Sequence, residues 1–590
     1  MHKRLWLFAG AAFAGLLLVA AAGAMTTVAH DSAASQAAPG ATLKAAPFAQ
    51  AWAHVPRTQA ARKAKTVLIF GMEQDVAGFN TLNADENAYW AALTGNTPVL
   101  RGNYIIDDKG VYHLDLATGV TATKTSLTIK IRPNANWWWG GRKLPVTYKD
   151  YVYTWKQIVD KNNTPASTTG YDLITGFTHV GNKQVTFKWS KPFADYRDLF
   201  GTILPSAALV GLDFDSFWAN CVCGTDSKPV SDGPFYVSNY TKGQGLTLRP
   251  NPFWYGKKPA LKEIDWKLIT DTNSEIQAMR GGEVDAINPS PQTALSQLQH
   301  QSGLTYSAIP GFTQEHLDLN IGPGLSNPLL RAPWMRHALM MGLDRAGLIN
   351  ALYSQIAPSL KPLNNALWEL GVNAVPQFNK WNFNPAKAIA LLKAHGCTGG
   401  PASWNPTTKN QDNKDIWTCA GRKAEFRWNT TAGNQRRATS AAIFAQNLQA
   451  IGIKVTPGFE PANPNFFGTR LPNHDFDIAE YAWLGGPDPS GFDAIYQCIN
   501  AAKNLGGSNY KQYCNHNVDA LIRAGDSELN PTKRTADYQK AAAIMANDTP
   551  IVPLYAPPSI LVYKSAIKGM AHSNNPTLLG PTWNVEQWHW

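Results

Sequence analysis

The stretch 232–287 constrains the fold of this chain most, because its hydrophobic period changes several times within a short length. Apolar and polar residues alternate over 235–237, 246–248 and 264–268, a pattern typical of strands with one buried face. Asn251-Pro252 separates the second of these strands from the third, since proline cannot continue a sheet ladder.

A helix follows these strands. Thr272 and Glu275 have the spacing of a capping box, and Ile276 and Met279 fall on one face of the predicted helix. Gly281-Gly282 ends it, and residues 284–287 return as a strand. Three strands, a helix and a strand predict a mixed sheet with a crossover, which is a scaffold for a cleft and carries no chemistry by itself.

This stretch resembles one protein family. GPF-Y, RPNPFWYGKKPALKEID and the helix ending in RGGEVDAI resemble the middle signature of the extracytoplasmic solute-binding proteins of the peptide/nickel class, family 5, which feed ABC importers. Further segments resemble the family in the same order: SLTIKIRPNANWWWGGRKLPVTYKDYVYTW, LRAPWMRHALMMGLDRAGLI, FNPAKAIALLKAHG, QNLQAIGIKVTP, FDIAEYAWLGGPDPSGF and YCNHNVDALIRAGDSELNPTKRTADYQKAAAIMANDTPIVPLY. Together they cover most of the chain from about Thr66 onward.

The resemblance implies an α/β, two-lobed fold like that of periplasmic binding proteins, with a hinge and an extra third lobe of mixed sheets flanked by helices. Its lobes are expected as follows: the first lobe at 66–108, 231–319 and 556–590, the variable second lobe at 109–230, and the third lobe at 320–555. Ligand binding is expected to close the third lobe onto the first, with a hinge near Asn320 and Tyr555.

The N-terminal segment has the pattern of an export signal. His2-Lys3-Arg4 precedes an apolar run that ends at Ala22-Gly23-Ala24, a small-x-small cleavage pattern. Residues 1–24 are therefore read as a signal peptide or an uncleaved anchor, and the Ala-, Ser-, Thr- and Pro-rich residues 25–65 as a disordered linker. The run lacks a lipobox cysteine. These features predict an extracytoplasmic protein, in the periplasm or on the outer face of the cytoplasmic membrane.

Length and composition agree with such a receptor. A chain of 590 residues exceeds what one core usually organises. Its net charge of +11 is scattered among acids, which indicates a solvated basic surface rather than a nucleic-acid interface. The 21 Trp suit a wide cleft that stacks on organic solutes. We expect a monomer.

The sequence contains no recognised catalytic pattern. G-x-S-x-G, H-E-x-x-H, P-loop and G-x-G-x-x-G motifs are absent, and the 13 His lack metal-ligand spacing. Neither an enzyme nor a metal or cofactor site is predicted.

The 6 cysteines form an even set in an exported chain, which favours disulfides. Their positions along the chain favour Cys397 with Cys419 and Cys498 with Cys514. Cys221 and Cys223 then either pair with each other in a small ring or stay free.

The ligand-binding candidates come from the resemblance. They are Glu73, Gln74, Trp139, Glu480, Trp483, Gly485, Asp488 and Tyr555. Glu73 and Gln74 follow the buried strand predicted at 67–70, and the corresponding family loop contacts ligand. Trp139 either contacts ligand or packs lobes together.

The family's peptide binders hold the ligand ammonium with the Asp of a W-x-x-D loop. Here the position three after Trp483 is Gly486, so Glu480 or Asp488 must take that role, or the ligand has no such group. Either residue alternatively has an ordinary role, Glu480 facing solvent and Asp488 fixing a Pro-Asp-Pro turn.

These observations predict a receptor that captures a solute, most simply an oligopeptide, and delivers it to an ABC permease with its ATPase subunits. A peptide-signal sensor, a receptor for a non-peptide solute and a secreted hydrolase are the alternatives. Ligand identity is not encoded in the pattern, because solute choice depends on a few cleft side chains.

Overall fold

The computed structural model describes residues 66–84, 86–368, 373–486, 488–490, 492–499 and 508–590. The predicted signal segment and linker lie outside the described residues. No helix in these ranges is both long and apolar enough to cross a bilayer.

Strands and helices alternate along most of the chain. The strands are β1 Val67–Met72, β2 Tyr104–Ile106, β3 Tyr112–Leu114, β4 Ala117–Ala122, β5 Ser126–Ile131, β6 Asn136–Trp139, β7 Arg142–Pro145, β8 Ile174–Val180, β9 Gln184–Trp189, β10 Val230–Ser231, β11 Phe235–Thr241, β12 Gly245–Pro250, β13 Glu263–Leu268, β14 Ala286–Ile287, β15 Leu304–Pro310, β16 Thr313–Leu319, β17 Thr418–Cys419, β18 Arg422–Lys423, β19 Glu425–Thr431, β20 Lys454–Glu460, β21 Ile478–Leu484, β22 Ile551–Tyr555 and β23 Pro558–Lys564. The α-helices are α1 Tyr89–Ala91, α2 Tyr148–Val159, α3 Thr272–Gly281, α4 Pro333–Gly342, α5 Arg345–Tyr353, α6 Pro385–Ala394, α7 Gln435–Ala450, α8 Asp493–Tyr496, α9 His516–Ser527 and α10 Pro531–Asp548.

The first lobe is built on a seven-stranded sheet of order β11-β12-β13-β1-β14-β23-β15. β1 runs parallel to β13 and β14, and β23 is antiparallel to both β14 and β15. Leu68 and Phe70 of β1 are fully buried, as expected for a strand covered on both faces. The three strands and the crossover predicted from the central stretch are all present in this sheet.

The second lobe contains a four-stranded antiparallel sheet, β4-β5-β9-β8, and a small sheet of β10, β6 and β7. One apolar core joins this lobe to a face of the first-lobe sheet. A capping box starts α2: the hydroxyl of Thr147 accepts from the amide of Lys149, and Asp150 accepts from the Thr147 amide at 2.8 Å.

The third lobe is built on a five-stranded sheet of order β20-β19-β21-β16-β22, against which α5 and α7 pack. β19 is parallel to β20 and β21, whereas β16 is antiparallel to β21 and β22. β16 thus pairs with third-lobe strands, although the expected boundary at residue 319 put it in the first lobe. The other lobe boundaries remain predictions.

Two short segments connect the first and third lobes. β15 passes into β16 through Gly311 and Phe312, and β22 passes into β23 through Ala556 and Pro557. The amide of Gly311 donates to the carbonyl of Pro557 at 3.1 Å, so the crossings lie side by side. Paired crossings permit hinge bending and resist free rotation. The expected hinge position near Asn320 is therefore wrong, because Asn320 lies beyond the end of β16.

The start of α3 also differs from the sequence-based expectation. Asp271, not Thr272, is the N-cap, and its carboxylate accepts from the amide of Ser274 at 2.8 Å. Glu275 is consequently not part of a capping box and is fully buried. The helix ends as predicted, with Gly282 at φ +77°, a conformation that glycine adopts without strain.

The predicted disulfides Cys397–Cys419 and Cys498–Cys514 are both present, and Cys221 pairs with Cys223. The first two close loops within the third lobe.

Candidate functional site

The carboxyl ends of two sheets meet at the paired crossings. β15 ends where the chain leaves the first lobe, and β1 and β14 end at the same edge because they run parallel to it. In the third lobe, β16 begins at the crossing, so the antiparallel β21 ends there. Ligands of open α/β sheets bind outside the carboxyl ends of strands. The facing edges therefore define the candidate site, which we call the inter-lobe cleft.

Glu73 and Gln74 lie on the first-lobe side of this cleft, in the loop that follows β1. Glu73 is half-buried and well bonded: it accepts from the amide of Ser290 at 2.9 Å and from its hydroxyl at 2.8 Å. The hydroxyl of Thr272 donates to its other carboxylate oxygen. Glu73 thereby joins the ends of β1 and β14 to the start of α3. Gln74 is half-buried beside it.

Trp483 and Gly485 lie on the third-lobe side, at the end of β21. The half-buried Trp483 ring stacks with Tyr510 and His316, each at a centroid distance of 6.2 Å. The amide of Gly485 donates to the carbonyl of Phe312 in the crossing segment at 2.9 Å. A Cβ atom on Gly486 would meet no heavy atom within 4 Å. The edge thus presents an aromatic wall beside open space.

Glu480 does not face this open space. Its side chain is 0% exposed and accepts from the indole N–H of Trp428 at 3.2 Å, between the sheet and α7. Burial, followed by the nearby carboxylate of Glu315, raises the pKa of Glu480 to about 8. Glu480 is therefore mostly protonated at neutral pH, and the expectation that it faces solvent or anchors a ligand ammonium is not supported by its position.

Two arginines at the start of α7 lie close to Glu315, and Arg437 lies close to Glu480 as well. Arg437 donates to Glu315 at 2.6 Å, and Arg436 donates to the hydroxyl of Tyr353 at 3.1 Å. Among the described residues Arg436 forms no ion pair of its own. With Glu480 protonated, one carboxylate balances two guanidinium groups, which leaves this cluster with an excess positive charge at the third-lobe edge of the cleft.

Asp488 is already paired. It receives two guanidinium hydrogen bonds from Arg534, and it accepts from the amide of Ser490 at 2.9 Å and its hydroxyl at 2.8 Å. Its surroundings match the ordinary role of fixing the turn after β21.

Tyr555 and Trp139 are both buried, but they lie in different lobes. Tyr555 ends β22 and packs edge-on against Tyr353 at 5.4 Å between ring centroids, next to the arginine cluster. Trp139 belongs to the second lobe, where its indole N–H donates to Asp226 at 2.7 Å and Arg142 lies over its ring. Trp139 also borders a cavity of about 190 Å³ within that lobe. Both contacts lie within the second lobe, so the two expected roles of Trp139, ligand contact and packing between lobes, remain predictions.

Three residues of the site region were missed from the sequence: Glu275, Glu315 and Arg436. The spacing of Glu275 predicts a helix cap, and Glu315 lies 122 residues before its partner Arg437, a relationship that no local pattern shows.

Among the described residues, Cys498, Cys514 and His516 form the one close grouping of metal-type ligands. The sulfur atoms of both cysteines form a disulfide, so we propose no metal centre here.

Comparison with known proteins connects this geometry to a family. Oligopeptide-binding protein OppA of Mycobacterium tuberculosis (strain ATCC 25618 / H37Rv) is 26% identical over 505 residues, 83% of this chain and 79% of OppA. The solved structure of the periplasmic EDTA-binding protein EppA matches with a TM-score of 0.72 at 19% identity, covering 89% of this chain and 96% of EppA. AppA from Bacillus subtilis, in complex with a nonapeptide, matches with a TM-score of 0.64 at 21% identity, covering 89% of this chain and 98% of AppA.

The structural matches show a shared two-lobed α/β fold. The family model described as "Bacterial extracellular solute-binding proteins, family 5 Middle" matches residues 111–503, which is more than half of the chain. The chain therefore belongs to the bacterial extracellular solute-binding proteins of family 5.

Proposed function

We propose that this protein captures a peptide in the inter-lobe cleft and delivers it, as a monomer, to the permease of an ABC importer with its ATPase subunits. Proteins of this family are extracytoplasmic binding proteins and not enzymes. The observation that carries the proposal is the meeting of two carboxyl edges at a paired crossing, with Trp483 and the open space at Gly486 on one side and Glu73 and Gln74 on the other.

A peptide is favoured over other solutes by the relatives and by the chemistry of the edges. OppA of Mycobacterium tuberculosis is an oligopeptide-binding protein, and the AppA structure holds a nonapeptide. An aromatic wall accepts varied side chains, and the excess positive charge near Arg436 suits a ligand carboxylate. A peptide carries both kinds of group.

Native mass spectrometry of purified protein tests the identity of the solute. A peptide that co-purifies, and that rebinds in calorimetry after removal, supports the proposal. A co-purified solute of another class contradicts the peptide assignment and leaves the solute-binding role in place. A measurement of mass in the same experiment shows whether the protein is a monomer.

Closure is tested with the rebound peptide. Small-angle scattering should show a smaller radius of gyration at saturation, because the third lobe rotates toward the first. An unchanged radius contradicts closure. Growth on the identified peptide as a nutrient source, compared between the parent strain and a deletion strain, separates uptake from sensing.

A further inference from the structure

A buried carboxyl group lies against β1, close enough to Glu73 for the negative charge of Glu73 to raise its pKa. Glu275 is 0% exposed, and among the described residues neither of its carboxyl oxygens has a hydrogen-bond partner. A Cβ atom on Gly71 would lie 2.8 Å from Oε1 of Glu275. Glycine at this position of β1 therefore leaves the room that the Glu275 carboxyl group occupies, next to the loop that carries Glu73.

The charges around this pair are predominantly negative. Glu73 follows β1, and Asp271 caps α3. On the β14 side, Asp285 forms an ion pair with Lys564 at 2.6 Å, so its negative charge is neutralised. No cationic side chain of the described residues forms an ion pair with Glu73 or Glu275. A half-buried carboxylate and an unpartnered buried carboxyl group thus share the first-lobe edge without a positive partner, although buried charges are normally paired.

We propose that Glu73 and Glu275 together bind a primary ammonium group of the ligand on the first-lobe side of the inter-lobe cleft. This inference rests on the proposed function and names the chemistry of one end of the ligand. The third-lobe acids are not free for this role, because Glu480 lies inside its lobe and Asp488 is paired with Arg534.

An ammonium group fits the available acceptors. It has three N–H donors, while Glu73 keeps acceptor capacity beside its bonds to Thr272 and Ser290 and Glu275 offers two unpartnered oxygens.

Binding should release a proton. Burial, followed by the charge of Glu73, raises the pKa of Glu275 to about 9, so its carboxyl group is protonated at neutral pH. When the ammonium group arrives, the O–H bond of Glu275 breaks, its proton passes to the buffer, and the carboxylate pairs with the ligand. Because the complex holds fewer protons than the free protein, affinity should rise with pH up to about 8, the pKa of a peptide amine, above which the free ligand loses the ammonium proton that binding requires.

The test compares amine-free and amine-bearing forms of one peptide. Tetra-, penta- and nonapeptides are screened by native mass spectrometry, and the tightest binder is studied by calorimetry with a free or acetylated N-terminus. Measurements in two buffers of different ionisation enthalpy give the number of protons released. We expect up to one proton for the free amine, none for the acetylated form, and roughly tenfold or more weaker binding after acetylation.

Two variants and a control assign the effect. Glu275→Gln resembles the protonated acid and should abolish proton release and flatten the pH dependence. Glu73→Gln should weaken the free-amine peptide roughly tenfold or more, with little effect on the acetylated form. Glu283→Gln, an exposed residue paired with Lys267 at 3.0 Å, should leave both measurements at the parent values.

Equal affinity for the two peptides, with no proton released, overturns the inference and leaves the proposed function intact. Failure of every peptide to bind overturns the peptide assignment of the proposed function, and this inference with it. If a variant does not fold, the comparison of free and acetylated peptide on the parent protein still decides.

Discussion

Glu480 and Trp483 project from opposite faces of β21. Side chains of a strand alternate between faces, and Glu480 accordingly contacts Trp428 on the α7 side while Trp483 stacks with Tyr510 on the other. A ligand that packs on Trp483 is therefore separated from Glu480 by the sheet itself. The role of Glu480 is internal to the third lobe.

We predict that Glu480→Gln leaves peptide affinity unchanged but alters the pH dependence of stability. The pKa of Glu480 is about 8 in the folded protein and near its ordinary value of about 4.3 when unfolded. Between these values the folded state holds the extra proton, so the free energy of unfolding of the parent falls as pH rises. The slope is at most about 1.4 kcal/mol per pH unit.

Urea unfolding at several pH values measures this slope. The variant should lack the contribution, so that the parent loses stability relative to Glu480→Gln between about pH 5 and 8. A difference that does not vary with pH contradicts the prediction. A large loss of peptide affinity in the variant would instead restore Glu480 as a ligand contact.

Asp488 is predicted to stabilise the turn after β21 rather than to bind ligand. Asp488→Asn weakens the two bonds from Arg534 and the bonds from Ser490, and charge-assisted hydrogen bonds contribute about 1.5–3 kcal/mol each. A double-mutant cycle with Arg534→Gln should give a coupling energy of about 1 kcal/mol or more in thermal or urea unfolding. If Asp488→Asn leaves stability unchanged but weakens peptide binding, Asp488 is a ligand contact and the prediction is wrong.

Local patterns were sufficient for much of the fold. Alternating residues located β11 to β13, and the positions of the cysteines along the chain located two of the disulfides. These features depend on residues near each other in the chain. The same reasoning failed at α3, because Asp271, one residue before the Thr272–Glu275 motif, is also a good cap and took its place.

The candidate site was less predictable, since its partners are distant in sequence. The neighbours of Glu480 come from β16, β19 and α7, and those of Glu73 from α3 and the residues after β14. Sequence spacing placed Glu73 and Trp483 at strand ends. Sequence spacing did not reveal which carboxylate is available to bind a ligand, because that depends on which side chains the sheets bring together.

The disulfides should stabilise the fold by an amount that grows slowly with the length of the loop each one closes. Cys397 and Cys419 are separated by 22 residues and Cys498 and Cys514 by 16, for which the loop-entropy model gives about 3 kcal/mol each. Replacing either pair with serine should lower the free energy of unfolding by about that amount. Cys221 and Cys223, with a separation of 2, are the matched control and should contribute much less.

At the hinge, Gly311 allows the two crossing segments to lie close together. A Cβ atom at this position would be 2.5 Å from the carbonyl oxygen of Pro557, so Gly311→Ala must push the segments apart and lengthen the bond between the Gly311 amide and that carbonyl. We expect a loss of about 1–3 kcal/mol in the free energy of unfolding and a smaller compaction on peptide binding in small-angle scattering. Gly176→Ala is the control, because a Cβ there would meet nothing within 4 Å. If Gly311→Ala compacts on binding as fully as the parent and the Gly176 variant, the hinge does not depend on this close approach, and the bending must be absorbed elsewhere along the crossings.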